Sequence, residues 1–156
     1  MTELDKYTVV KVIVMGSARC GHDKDGKRKR WEHEQSNGSK AIIFAFDLAD
    51  RESFKRLDYW MEDIKNQINL NLVEDPILIL VGTKCDLKFK RQVTQDEAAE
   101  WAKTNNISSY HETSAKENIC IEDPFNSILD QLYLKKSKSN PVTLIKENNP
   151  SIWSCC

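Results

Sequence analysis

The sequence lacks the features that are typical of membrane-spanning proteins, of disulfide-rich secreted proteins and of nucleic-acid-binding proteins. No apolar run approaches the roughly 18 residues that a membrane-spanning helix requires. The five cysteines are an odd number without the spacing of a disulfide framework, which points to a reducing compartment. The formal net charge of −1 gives no reason to expect a nucleic-acid partner. These absences leave an ordinary globular protein as the expected class.

The beginning of the chain also has no apolar core of the kind that a signal peptide carries, since it reads MTELDK. Hydrophobic residues make up 40% and charged residues 30% of the 156 residues, so one domain with a real core is expected. We therefore expect a cytosolic domain.

Apolar patterning predicts strands that alternate with helices. Three β-rich, mostly apolar runs predict strands at 7–15, 40–46 and 77–81, and a short fourth strand is predicted at 108–112. Spacings of three and four residues and N-terminal capping signals predict three helices, beginning near Asp50, Thr94 and Asp123. Alternation of this kind implies parallel strands joined by right-handed crossovers. The predicted fold class is α/β, a three-layer sandwich around a mostly parallel, doubly wound sheet.

The third predicted helix begins at Asp123-Pro124 and has one apolar face, formed by Phe125, Ile128, Leu129 and Leu132. After about Lys136 the periodicity stops. Residues 137–156 are therefore predicted to be a flexible tail following a domain of residues 1–136.

A cation and a carboxylate follow the third predicted strand directly, in Thr83-Lys84-Cys85-Asp86. Ligands of open α/β sheets bind at this carboxyl edge. One carboxylate can accept hydrogen bonds from the N1–H and the exocyclic amine of guanine, a donor pair that adenine lacks. The stem of the lysine could lie along the ring while its ammonium stays in water. Four residues alone fit a solvated loop with chance charges equally well.

A second short motif, Ser114-Ala115-Lys116, follows the fourth predicted strand. Together with Thr83-Lys84-Cys85-Asp86 it resembles the two guanine-specificity motifs of small GTPases. Asp47 and the segment 50–60 resemble the Rab branch of the Ras superfamily. The resemblance covers roughly residues 7–16 and 37–136, plus the last residues.

This resemblance implies a sheet of the small-GTPase, or P-loop NTPase, type and a guanine nucleotide, GTP or GDP, as the cofactor. It assigns Thr83, Lys84 and Asp86 to the guanine base. It implies that the Ala115 backbone N–H donates to the guanine carbonyl oxygen, while Ser114 and Lys116 brace the loop.

The chain ends in Cys155-Cys156, which resembles the double-cysteine prenylation signal of Rab proteins. One lipid chain gives marginal membrane binding and two give stable anchoring, whereas the alternative is two unmodified thiols. The resemblance implies a monomeric, membrane-anchored regulator of vesicle traffic on the cytosolic face of an intracellular membrane. Its implied partners are prenylation escort proteins and effector proteins.

The phosphate side departs from the family pattern. A P-loop needs Gly-x4-Gly-Lys-Ser/Thr directly after the first strand, so that backbone N–H groups, a lysine and a hydroxyl can hold phosphates and Mg²⁺. Gly16 and Gly21 keep the glycine spacing, but His22 and Asp23 occupy the lysine and hydroxyl positions. A second match to Gly-x4-Gly-Lys starts at Gly21 and supplies Lys27, but it lies five residues further from the strand. Gly16, Gly21 and Lys27 are the candidate phosphate-binding residues.

Residues 16–39 are also too few to hold the helix, two strands, switch segments and Asp-Thr-Ala-Gly-Gln motif that the family has there. We expect an irregular loop in their place and a sheet reduced to about four strands. Without the helix, apolar surface should be exposed over Val10, Val12 and Val14, with the first strand at an edge. No catalytic residue and no Mg²⁺ ligand can be assigned, although the family uses Mg²⁺.

Two hypotheses follow. The chain is a working GTP hydrolase with an unorthodox phosphate site, or it is a truncated or pseudo-GTPase that acts as a prenylated interaction module.

Overall fold

A computed structural model of the chain describes residues 10–16, 38–69 and 76–139. Strands and helices alternate within these ranges. In chain order they are β1 (Val12–Gly16), β2 (Ala41–Asp47), α1 (Arg51–Asn69), β3 (Ile77–Thr83), α2 (Gln95–Thr104), β4 (Ser109–Thr113) and α3 (Asp123–Ser139), with a 3₁₀ turn at Lys88–Lys90 before α2. The four strands form one parallel sheet in the order β1-β2-β3-β4. The predicted α/β fold, reduced to four strands, is confirmed.

The strand register aligns the carboxyl ends of three strands. Asp47 at the end of β2 pairs with Thr83 of β3, and Thr83 pairs with Thr113 of β4. Because the strands are parallel, the loops that follow them all begin at this one edge of the sheet. The loops that carry the two predicted guanine motifs are therefore neighbours.

Two helices cover one face of the sheet. Alternate strand residues such as Ile42, Phe44 and Tyr110 point to this face and form the main core cluster. From α1 the cluster takes Leu57, Met61 and Ile64, and from α2 it takes Ala98 and Ala102. The helical periodicity that predicted these inward faces reflects this burial.

The N-termini of both helices are capped by side chains, as the sequence predicts. Asp50 Oδ1 accepts a hydrogen bond from the Glu52 N–H at 3.0 Å. Thr94 and Glu97 form a reciprocal capping box, in which each side chain accepts from the backbone N–H of the other at 3.2 Å. These bonds satisfy N–H groups that the helix itself leaves without partners.

The opposite face is covered less completely. Its cluster contains Ile43 and Ile79 from the sheet and Ile128 from α3, with Val12 and Leu132 packed against it. Val14 on β1 is 56% exposed, so the predicted apolar exposure of the first strand is found there, while Val10 and Val12 are half-buried. β1 lies at one edge of the sheet that the described strands form.

The predicted apolar face of α3 is only partly a core face. Ile128 is buried and Leu132 is partly buried, but Phe125 is 49% and Leu129 is 58% exposed. Both lie on the side of α3 that does not face the sheet. No element in the described part of the chain covers that side. α3 extends to Ser139, slightly beyond the predicted end of the domain. Gly21, Lys27, Cys155 and Cys156 lie outside the described residues.

Candidate functional site

The candidate site begins where β3 ends, at Thr83. The Thr83 hydroxyl donates to the Phe46 carbonyl oxygen at 2.8 Å, and its carbonyl oxygen accepts from the Leu48 N–H at 3.1 Å. Lys84 then takes a left-handed backbone conformation with a φ of 62°, which turns the chain sharply away from the sheet. The Cys85 N–H donates to the Thr113 carbonyl oxygen at 3.0 Å. The loop is thus attached to strands on both of its sides.

A hydrogen bond joins the two sequence motifs. The Ser114 hydroxyl donates to Asp86 Oδ1 at 2.6 Å, across a separation of 28 residues. Ser114 is fully buried, whereas Asp86 is partly exposed. Within the described residues no group donates to the second carboxylate oxygen, Oδ2. The bond therefore orients the Asp86 carboxylate and leaves one oxygen available as an acceptor.

The second motif forms a short turn closed by its own backbone. Ser114 and Ile119 exchange two backbone hydrogen bonds of 3.1 and 2.9 Å, and the Glu117 N–H donates to the Ser114 hydroxyl at 3.1 Å. Ala115 and Lys116 are exposed in this turn. In the part of the chain that the structure describes, the Ala115 N–H donates to no acceptor. A free backbone donor thus lies in the turn that follows β4, while Asp86 lies in the turn that follows β3.

Lys84 is held at the same edge by an ion pair with the end of β2. Its Nζ lies 2.5 Å from Asp47 Oδ2, and the other carboxylate oxygen of Asp47 accepts from the Ala49 N–H at 2.8 Å. The Asp47 side chain is 17% exposed and the Lys84 side chain 55%. The pair anchors the ammonium at the sheet edge and leaves much of the lysine side chain accessible.

A second carboxylate, that of Glu112, ties the β3 loop to β4 behind the site. Arg91 binds Glu112 in a bidentate pair, with Nη1 2.8 Å from Oε2, and donates from Nε to the Val93 carbonyl oxygen at 2.7 Å. The Tyr110 hydroxyl donates to Glu112 Oε1 at 2.6 Å. Burial alone would raise the pKa of Glu112, but the bonds from Arg91 and Tyr110 outweigh it and hold the pKa below its usual value. Burial and the neighbouring carboxylate raise the pKa of Tyr110, so its hydroxyl stays a donor.

Sequence reasoning missed the roles of Arg91 and Tyr110. The only signal in the sequence is that Tyr110 and Glu112 are two residues apart on a strand and so share a face. Nothing in the pattern points to Arg91, which comes from a loop 21 residues earlier.

Gly16 is the only one of the proposed phosphate-binding residues within the described ranges. It pairs with Ala45, two positions before the end of β2. A Cβ at Gly16 would lie 2.5 Å from the Ala45 carbonyl oxygen, so close approach of the two strands requires glycine there. This packing constraint explains Gly16 without a phosphate ligand.

The described ranges show neither a cluster of metal ligands nor a membrane-spanning helix. They contain no group of three or more His, Cys, Asp or Glu side chains that could hold a metal ion. None of the helices in these ranges is both long and apolar enough to cross a membrane.

Comparison with known proteins supports the resemblance to small GTPases. The Ras family model matches residues 27–134. The chain is 33% identical to Ras-related protein Rab5 of Nicotiana tabacum, over 76% of this chain and 59% of the relative. It is 34% identical to Ras-related protein Rab-2B of Dictyostelium discoideum, over 72% and 52%, and 33% identical to Ras-related protein Rab-13 of Mesocricetus auratus, over 63% and 46%.

The chain therefore spans about half the length of the curated relatives that it matches. The family model nevertheless matches more than half of this chain, and the sheet has the parallel, helix-covered form expected of that family. The chain belongs to the Ras family and is a Rab-type small GTPase by descent.

Proposed function

We propose that this chain binds guanine nucleotides through a base pocket formed by the loops after β3 and β4. The observation that carries the proposal is the 2.6 Å hydrogen bond from Ser114 to Asp86, because it brings two distant motifs together with one carboxylate oxygen still unused. Family membership supports guanine over other bases.

Each residue has a distinct role in the proposed pocket. Asp86 accepts from the guanine N1–H and exocyclic amine, and the Ala115 N–H donates to the guanine carbonyl oxygen. The stem of Lys84, anchored through Asp47, lies along one face of the ring. Thr83 and Ser114 position the loops through the bonds to Phe46 and Asp86 and do not contact the base. Lys116, which is 76% exposed, braces the turn from outside.

Replacing Asp86 tests the base pocket directly. Xanthine differs from guanine in having a carbonyl in place of the exocyclic amine. An Asp86→Asn side chain would therefore present its NH₂ donor to that carbonyl while its oxygen accepts from N1–H. We expect the unaltered chain to bind GDP in preference to ADP, and the Asp86→Asn variant to prefer xanthosine diphosphate to GDP by about tenfold or more.

Calorimetry on the purified chain with the three diphosphates measures these preferences. Asp130→Asn, which changes an exposed carboxylate on α3, is the matched control and should leave them unchanged. Equal binding of GDP and ADP by the unaltered chain, or no change in preference in Asp86→Asn, would contradict the proposal.

The phosphate half of the site favours a second form of the function, that of a pseudo-GTPase. His22 and Asp23 stand where the family has its lysine and hydroxyl. Charge-assisted hydrogen bonds contribute roughly 1.5–3 kcal/mol each, so losing several of them would remove on the order of 7 kcal/mol, or about five decades of affinity. Bound Mg²⁺ would neutralise phosphate charge, but the described residues offer no ligand set for it. We therefore propose micromolar to millimolar binding without appreciable hydrolysis.

The affinity for GTP and its dependence on Mg²⁺ distinguish a pseudo-GTPase from a working GTPase. Nanomolar, Mg²⁺-dependent GTP binding that a Lys27→Ala change abolishes would show that the chain is instead a working GTPase. Binding in the micromolar to millimolar range that is indifferent to Mg²⁺ and to Lys27→Ala is the result that we expect.

The membrane role is a separate part of the proposal. We propose that Cys155 and Cys156 are prenylated, and that the monomeric chain then acts in vesicle traffic on the cytosolic face of an intracellular membrane, with escort and effector proteins as partners. The support is the paired-cysteine signal and the kinship with Rab proteins. Mass spectrometry of the chain from cells should detect two isoprenoid groups. A chain found at membranes without them, or unmodified in the soluble fraction, would contradict this part.

A further inference from the structure

An exposed apolar stripe extends along α3. It consists of Phe125, Leu129 and Tyr133, which are 49%, 58% and 62% exposed. Residues four apart lie above one another on a helix, so the three side chains form one continuous line. Single exposed apolar residues are ordinary, but an unbroken line of three large ones marks a surface that is covered in some state of the protein.

The α3 stripe continues the core that lies beneath the helix. Ile128 and Leu132 on the same helix pack into the sheet-facing cluster that also contains Val12 of β1. Phe125 and Leu129 adjoin these residues on the helix surface, and Val14, two residues after Val12 on β1, is itself 56% exposed. The stripe is therefore the outer margin of a core that is incomplete in the described residues.

The segment that follows α3 in sequence has the composition and the starting point to cover this stripe. α3 ends at Ser139, and Asn140-Pro141, a turn-forming dipeptide, comes next. Val142-Thr143-Leu144-Ile145 then supplies three large apolar residues in four positions. Burying such a run against an apolar helix surface that the described residues leave exposed is favoured by the hydrophobic effect.

We propose that residues 142–145 fold back along α3 and cover the α3 stripe. Leu129 lies ten residues before the end of the helix, at a distance of about 15 Å with a rise of 1.5 Å per residue. Six residues of extended chain, 140–145, span about 20 Å. The apolar run can thus turn at Asn140-Pro141 and reach both Tyr133 and Leu129.

This contact has a consequence that stands whether or not the chain binds nucleotide. The stripe and the tail shield each other's apolar surface, so a partner or a membrane that binds the tail must first release it from α3. Residues 146–156 remain beyond the contact and leave the terminal cysteines accessible.

Photo-crosslinking of the full chain identifies what covers the stripe. p-Benzoylphenylalanine in place of Tyr133 replaces one exposed aromatic residue by another, and the same residue in place of Phe89 is the control. Phe89 is the most exposed large hydrophobic residue in the described ranges, at 107%, and lies in the 3₁₀ turn far from α3 along the chain. After irradiation, peptide mass spectrometry should find an intramolecular crosslink from position 133 to residues 142–145 and none from position 89.

Charged substitutions in the tail then test whether apolar packing holds it in place. Leu144→Asp combined with Ile145→Asp should lower the crosslink yield about tenfold or more, because a charge is costly to bury in an apolar contact. Ile152→Asp, a matched change outside the run, should leave the yield unchanged. A crosslink to a second copy, to another segment or to nothing, or a yield indifferent to the double substitution, would overturn the proposal.

Discussion

Two arginine–glutamate pairs in this chain have the same bidentate geometry and differ in burial, so the same substitution should destabilise the fold at one pair and have little effect at the other. The side chains of Arg91 and Glu112 are 29% and 8% exposed, and those of Arg51 and Glu97 are 45% and 38% exposed. Arg91→Met removes the bidentate partner of the buried Glu112 carboxylate, while the Tyr110 hydroxyl still donates to it. Removing one partner of a buried ion pair typically costs about 3–5 kcal/mol, and the partial exposure of Arg91 favours the lower value, about 3 kcal/mol.

Arg51→Met should leave the free energy of unfolding unchanged within error, because water solvates the Glu97 carboxylate once it is released. Urea unfolding followed by circular dichroism measures both variants, provided that the slope m is constant. Arg91→Met combined with Glu112→Gln should be more stable than Arg91→Met alone, since a neutral amide costs less to bury than a carboxylate.

The loss in Arg91→Met should also depend on pH in a defined direction. The folded chain lowers the pKa of Glu112, so the stability that this group contributes is present above its usual pKa of about 4.5 and is lost as the pH falls. The difference between the variant and the unaltered chain should therefore shrink in acid, where the carboxyl is protonated. A loss below about 0.5 kcal/mol at neutral pH, or an equal loss in Arg51→Met, would refute this reasoning.

Three further substitutions test separate parts of the fold. Thr94→Ala removes the capping box of α2 and should lower the free energy of unfolding by about 1 kcal/mol in urea titrations, whereas Thr104→Ala, at the other end of the same helix, should cost clearly less. Burial lowers the pKa of His111, so the unfolded chain binds its proton more readily. Stability should fall as the pH drops below about 6.5, and His111→Leu should flatten this dependence in thermal melts between about pH 5 and 8; equal slopes in both chains would contradict the assignment. In Gly82→Ala the new Cβ would lie 2.9 Å from Leu48 Cδ2, so we expect a loss of about 1–3 kcal/mol, and an unchanged unfolding midpoint would argue against tight packing at that point.

The sequence predicts the sheet and the helices because their signals are periodic and local. Apolar runs such as 41–46 and 77–81 are typical of strands buried on both faces, and the structure buries them in β2 and β3. Parallel order alone puts the loops after β3 and β4 at one edge of the sheet, and the structure brings Asp86 and Ser114 together there.

Contacts between distant side chains were beyond the reach of the sequence. The bond between Arg91 and Glu112 depends on how a loop folds back on a strand, and no spacing in the chain encodes it. The ion pair between Lys84 and Asp47 also depends on the left-handed turn at Lys84, and a lysine in the sequence does not predict that conformation. Periodicity likewise puts Phe125 on the apolar face of α3, but it cannot tell whether a second element covers that part of the face, and Phe125 is 49% exposed.

The order of the strands has a consequence for how the sheet comes apart. Among the described strands each one pairs with its sequence neighbours. β2 and β3 are therefore bonded on both sides, while β1 and β4, each five residues long, are bonded to one described strand. Detaching β1 therefore breaks one strand ladder, whereas detaching β3 breaks two and opens both neighbouring core faces. Amide hydrogens should accordingly exchange with solvent faster in β1 and β4 than in β2 and β3. In this sense the sheet has a firm centre, and the loop that carries Asp86 follows directly from one of its two central strands.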